Sequence, residues 1–354
     1  MYNLLSKHNV PAENYPFCTI EPDMAKVPIQ DERFDKLVQI WKPAKEIPAV
    51  LTVHDIAGLV RGASEGKGLG NAFLSHISAV DALFHVCRAF KDKHIEHVEH
   101  TVDPVRDLET ISTELLLKDK AAVTRKHDDL GKLIARGVKN KDNERQYATF
   151  KKALEYLEAG TDIREGQWSN DDIDTLNELQ LLTAKPIVYL VNISEKDYRN
   201  KSNKFLPDIQ AWISKRSPDA PIIPFSVTFE QQLLTMTPEQ LAAETCTSMV
   251  PRIALTGYKA LSLIHYFTVG KQEVRAWTIK SGTLAPGAAG VIHSDFKTYF
   301  INADIYSYED FMQYGSEAEV KKAGKLMQRG KDYEFKDGDI AFFRHGAGGA
   351  NKKK

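Results

Sequence analysis

The chain has 354 residues, 42% hydrophobic and 27% charged, the values of a folded globular protein too long for one ordinary core and suited to two or three units. Its 47 basic and 48 acidic side chains cancel to a formal net charge of -1, which excludes a protein that coats nucleic acid by charge alone while allowing a local basic patch. No apolar run is long enough to cross a bilayer, the start MYNLLSKHNV lacks the regions of a signal peptide, and Cys18, Cys87 and Cys246 are scattered without zinc-ligand spacing, all of which points to a soluble protein of the reducing cytoplasm.

Residues Met1 to about Lys7 read as a short helix, followed by an irregular stretch around NYPFCTIEPD. Ala49 to Val53 and Ala82 to Cys87 are short apolar runs rich in strand formers, and a helical segment over Asn71 to Ser78 separates them, so a parallel α/β sheet is expected. From Pro104 to Thr183 the period becomes helical. Leu108, Ile111 and Leu115 make one face, Tyr147, Phe150, Leu154 and Leu157 another, and a break at Gly137 to Lys141 implies a helical hairpin with solvated charged flanks. Strand patterns resume at Pro186 to Asn192 and Ala220 to Val227. Beyond about Gly270 the texture changes to that of a small α+β domain, ending in a tail, residues 347–354, expected to be disordered.

The first strand runs into His54-Asp55-Ile56-Ala57-Gly58. An Asp-x-x-Gly at the C-terminal end of a parallel strand can place a carboxylate in the water shell of Mg²⁺ and a glycine amide near a terminal phosphate; a plain turn is the simpler alternative. The glycines between Gly62 and Gly70, just before a helix, strengthen the ligand reading, against that of a flexible surface loop. Further on, PIVYLV ends in Asn192-Ile193-Ser194-Glu195. Guanine-specific nucleotide-binding proteins carry Asn-Lys-x-Asp here, and with Ile193 and Glu195 in the second and fourth places the reason to prefer guanine is gone. Asn192 also suits a buried polar strand cap, and His94, His97 and His100 recur without a carboxylate or cysteine at ligand spacing.

NYPFCTIEPD, DIAGLVRGASEGKGLGNAFLSHI, YLVNISEKDY, EVRAWTI and AAGVIHSDF together resemble the Obg-like ATPases of the YchF subfamily, over nearly the whole chain. The resemblance implies an α/β fold: a Ras-like P-loop NTPase sheet over 1–103 and 184–269, a helical coiled-coil insertion over 104–183, and a C-terminal TGS domain of β-grasp form over 270–346. It implies ATP hydrolysis with GTP weaker, Mg²⁺ as cofactor, association with the ribosome at its large subunit, and no membrane or sequence-specific DNA partner. Residue by residue, Thr19 and Asp55 match the Mg²⁺ ligands, and Gly58 matches the glycine of the second switch. Asn192 and Ile193 match the adenine-contacting pair, with Glu195 beside them, and Ser226 the start of the last base-binding loop, where Val227 departs from the usual small residue. Leu59 fills the place of a water-orienting glutamine, so His97 is the implied catalytic group.

No G-x-x-x-x-G-K-[ST] occurs in the sequence, and Met1-Tyr2-Asn3-Leu4 matches the helix that follows that loop in the family. The resemblance therefore implies a missing strand, between those ending at Asp55 and Cys87, together with the phosphate-binding loop, as from a downstream start. The alternative is a truncated, non-hydrolysing interaction protein acting through the helical hairpin and the TGS domain.

Overall fold

The computed structural model describes residues 1–6, 23–56, 76–97, 99–138 and 140–346. Thr19, Gly58, the glycines between Gly62 and Gly70, and the tail lie outside the described residues. Two compact units divide the chain: residues 1–25 with 53–250, and residues 26–52 with 251–354.

Strands β1 (Asp23–Pro28) and β3 (Val50–Asp55) pair with each other, and the boundary between the units crosses both; β2 (Lys45–Ile47) belongs to another sheet. In the first unit β4 (Leu83–Arg88), β5 (Ile187–Asn192) and β6 (Ile222–Phe225) form a parallel sheet in the order β4-β5-β6, with Leu83 opposite Ile187 and Asn192 opposite Phe225. β5 is the central strand, and its run IVYLV is buried throughout, as a strand covered on both faces requires. β4 pairs only with β5 among the described residues and leaves Val86 46% exposed. Among the described residues the strands ending at Asp55 and Arg88 thus belong to separate sheets.

The expected hairpin consists of helices Pro104–Ala135 and Lys141–Glu158. Asp103 and Asn140 cap their N-termini by accepting the amides of Arg106 and Asn143, and Pro104 stands in the first turn, where its missing N–H costs nothing. Gly137, at φ 86, turns the chain between them. Val123, Phe150, Ala153 and Leu157 are buried against each other together with Leu176 of the helix Asn170–Asn177, each large side chain contributing about 1.5–3 kcal/mol. Asp119, inside this packing, accepts the amides of Leu182 and Thr183 at 2.9 and 2.7 Å and the Thr183 hydroxyl at 2.7 Å, fixing the return of the chain to the sheet.

The second unit holds a six-stranded sheet built from β2 and from β7 (Leu263–Thr268), β8 (Glu273–Lys280), β9 (Phe300–Ser307), β10 (Met327–Arg329) and β11 (Asp339–His345), in the order β10-β9-β11-β7-β8-β2. β7 and β8 are antiparallel neighbours, β11 runs parallel to β7, and the helix Ala285–Ile292 lays Ala285, Ala288 and Ala289 on the face lined by Tyr266, Trp277, Ala303 and Phe343. The expected start of this domain, residue 270, falls in the turn of the β7–β8 hairpin. The sheet begins at Leu263, because each strand of a hairpin needs the other to satisfy its backbone. It also takes in Lys45–Ile47, parallel to Glu273–Arg275, as its outer strand.

Candidate functional site

Parallel α/β sheets bind ligands outside the C-terminal ends of their strands, and in the first unit the loops after β4, β5 and β6 are tied to one another there. The amide of Ala89 donates to the Asn192 carbonyl at 2.8 Å, and the amide of Ile193 to the Phe225 carbonyl at 2.9 Å. The Asn192 side chain crosses to the next loop, where its Oδ1 accepts the amide of Val227 at 3.1 Å. Asn203 completes the set, its Nδ2 donating to the Ala89 carbonyl at 2.9 Å and to Asp197 at 2.7 Å.

Asn192, Ile193, Glu195 and Ser226 are therefore brought together, by side chains as well as by sequence. Asn192 spends its amide oxygen on Val227 and keeps an NH₂ donor, the group a purine N7 would accept. Ile193 is 3% exposed and packs into the core beside Ala89 and Ile209, so its route to a ligand is the backbone. Ser226 is buried and caps the helix Val227–Leu233 by accepting the amide of Phe229 at 3.4 Å. Ser194 caps the short helix Glu195–Arg199, and Glu195 at its start pairs with Arg199 at 2.8 Å.

His97 lies on the loop after β4. Arg88, the last residue of that strand, shapes the loop by donating to the carbonyls of Phe90, Asp92, Ile95 and Glu96. The amide of Glu99 donates to Nδ1 of His97 at 3.1 Å, which places the proton on Nε2, and Nε2 donates to Asp107 Oδ2 at 2.9 Å. Asp107 is held in turn by Arg106 at 2.9 Å. Cys87, at the end of β4, is buried, and burial pushes its thiol up to about 12, so it is an inert core residue. Arg88, Asn203 and Asp107 were not legible as site residues, because each acts on backbone or side chains remote in sequence.

Asp55 ends β3, and burial, with the charges of Asp23 and Asp55, raises the hydroxyl of Tyr2 at the start of the helix Tyr2–Ser6.

Comparison with known proteins decides the family. The chain is 51% identical over 357 residues to Obg-like ATPase 1 of Oryza sativa subsp. japonica, covering 99% of this chain and 90% of that protein, and 50% identical to Obg-like ATPase 1 of Caenorhabditis elegans, covering 100% and 90%. It belongs to the Obg-like ATPase/YchF family. The structure of the Schizosaccharomyces pombe YchF GTPase superposes with a TM-score of 0.86 at 47% identity, covering 97% of this chain and 93% of that one. Residues 1–125 match the family model MMR_HSR1, described as 50S ribosome-binding GTPase, and residues 263–346 match YchF-GTPase_C, described as a protein of unknown function (DUF933). The chain therefore carries a GTPase domain of the Obg-like family together with the YchF C-terminal domain. No helix among the described residues is long and apolar enough to cross a membrane.

The family implies Mg²⁺. Asp55 fits: it is a hard oxygen donor at a strand end, and Mg²⁺ takes one or two carboxylates, with water and phosphate oxygens filling the rest of its shell. When bound, the ion would neutralise charge on the phosphates.

Proposed function

We propose that the chain is an ATP-hydrolysing switch protein that prefers ATP to GTP, uses Mg²⁺ held by Asp55 and Thr19, and reports its nucleotide state to the large ribosomal subunit in the cytoplasm. The observation that carries the reading is the Asn192–Val227 bond. It unites two loops of a parallel sheet into one ligand-facing corner and leaves an amide donor for a purine, whereas the guanine-reading Asp is replaced by Glu195. In this reading Asn192 and the backbone of Ile193 hold the base, with Ser226 shaping the last loop and Gly58 approaching the terminal phosphate. His97 orients the attacking water, since Leu59 has no polar group. The parallel pairing of β11 with β7 and the helix Ala285–Ile292 across the sheet support a β-grasp TGS domain in the second unit.

A second reading is a non-hydrolysing interaction protein acting through the helical hairpin and the C-terminal sheet; the observation on its side is that β3 and β4 lie in separate sheets among the described residues. Competition of ATP and GTP for a fluorescent nucleotide, with phosphate release measured alongside, decides between the two. Displacement by ATP at lower concentration than by GTP, with release of phosphate, supports the first; tighter GTP binding removes the base preference; no binding of either leaves the second.

A further inference from the structure

Both carboxylate oxygens of Glu195 are engaged by protein groups. Nε of Arg199 donates to Oε1 at 2.8 Å, and Nε2 of Gln232 donates to Oε2 at 2.6 Å. Arg199 is itself fixed, because its Nη1 donates to both oxygens of Glu244 at 2.9 and 3.0 Å and its guanidinium lies 4.9 Å from the ring centre of Phe229. Glu244 is anchored by the amides of Thr245 and Cys246 at 2.9 and 3.1 Å. Gln232 stands on the helix that begins at Val227, the residue bonded to Asn192. The groups that hold Glu195 thus come from the elements that build the base end of the site.

The Watson–Crick edge of guanine carries two adjacent donors, N1–H and the 2-amino group, whereas adenine presents a bare N1 acceptor there. A carboxylate free to turn to that edge accepts from guanine and repels adenine, and a site that satisfies a ligand's donors discriminates strongly against the analogue that lacks them. A carboxylate already satisfied by Arg199 and Gln232 does neither. We propose that Arg199 and Gln232 are the positioning residues that set base selectivity, holding Glu195 away from the base so that guanine loses its acceptor pair and adenine is admitted. This rests on the nucleotide-binding reading above.

The test uses the full chain and, as probes, adenosine and guanosine, whose binding does not depend on phosphate contacts, titrated by ligand-observed NMR. In Arg199→Met/Gln232→Met the ratio of guanosine to adenosine affinity is expected to rise by about 10-fold, an order set by one gained charge-assisted pair. Adding Glu195→Ala to the double variant should abolish the rise, a result that mere loosening of the loop would not give. If the double variant does not fold, Gln232→Met alone is titrated against the same ratio, with a rise of about threefold expected for the single released oxygen. An unchanged ratio in the folded variants, or a rise that survives Glu195→Ala, overturns the inference and leaves the nucleotide-binding reading intact. Binding of neither nucleoside by the unaltered chain overturns both.

Discussion

Oδ2 of Asp31 stands 2.8 Å from Nε2 of His265, a residue 234 positions further along the chain and 4% exposed. Arg33 bridges Asp31 and Asp337 at 2.7 and 2.9 Å, and Asp31 also caps the helix Glu32–Trp41. Residues 26–52, which lie in sequence between the two residues proposed to hold Mg²⁺, Thr19 and Asp55, belong to the C-terminal unit. Burial alone would raise the Asp31 carboxyl, but hydrogen bonds from His265 and Arg33, with the Arg33 charge, outweigh it and hold the group well below the usual carboxylate range.

A folded value below the unfolded one, about 3.9, means that the stability Asp31 contributes is whole above about pH 4 and is lost as pH falls through the folded value. Asp31→Asn is therefore expected to cost about 1–3 kcal/mol at pH 7 and somewhat less near pH 3, where the unfolded chain has taken up its proton while the folded carboxylate keeps its charge. Urea unfolding of both forms at the two pH values checks this. An equal cost at both would show that the charge of Asp31 contributes nothing.

Asp119 behaves in the opposite sense. Burial, only partly offset by hydrogen bonds from Thr183 and Leu182, raises its carboxyl, so its contribution falls as pH rises through the folded value. Asp119→Ala leaves the Leu182 and Thr183 amides and the Thr183 hydroxyl without their acceptor, an expected loss of about 3 kcal/mol or more. Hydrogen exchange should show faster opening of the helices Pro104–Ala135 and Lys141–Glu158, with β7 and β8 unchanged. Uniform acceleration of both units would contradict this assignment.

The elements that were legible in the sequence are those whose local pattern and burial agree. The run IVYLV reads as a strand because it is buried along its length, and the hairpin helices carry caps and apolar faces at helical spacing. Lys45–Ile47 was not legible: it is three residues long, with two of them exposed, and is a strand only because Glu273–Arg275 offers it an edge. In the site, Asn192 and Glu195 stood out through their place after a strand. That Gln232, 37 residues on, takes an oxygen of Glu195 is set by how β5 and β6 pair, and no local pattern encodes it.

Asn192 serves two roles that a pair of substitutions can separate. Asn192→Asp keeps an oxygen to accept the Val227 amide but removes the NH₂ donor, whereas Asn192→Ala loses both. Asn192→Asp should retain thermal stability within about 1 °C while weakening ATP binding by about 10-fold, the worth of one hydrogen bond left unmade. Asn192→Ala should weaken binding and also lower stability by about 1 kcal/mol. If Asn192→Asp binds ATP as the unaltered chain does, the side chain is a loop fastener alone.

His97 is held at both ring nitrogens, by the Glu99 amide and by Asp107, so a water can meet Nε2 only if the Asp107 contact opens. A role in orienting the attacking water therefore predicts two separable effects. His97→Ala should lower single-turnover ATP hydrolysis by about 10- to 100-fold with ATP affinity changed less than about twofold, because a group that acts in the transition state affects kcat more than binding. Asp107→Asn keeps the side-chain shape but replaces the carboxylate that accepts the Nε2–H and orients the ring, so turnover should fall, by less than in His97→Ala, with the fold intact. A purely structural His97 would instead give two variants that lose stability together, with the turnover of the folded fraction unchanged.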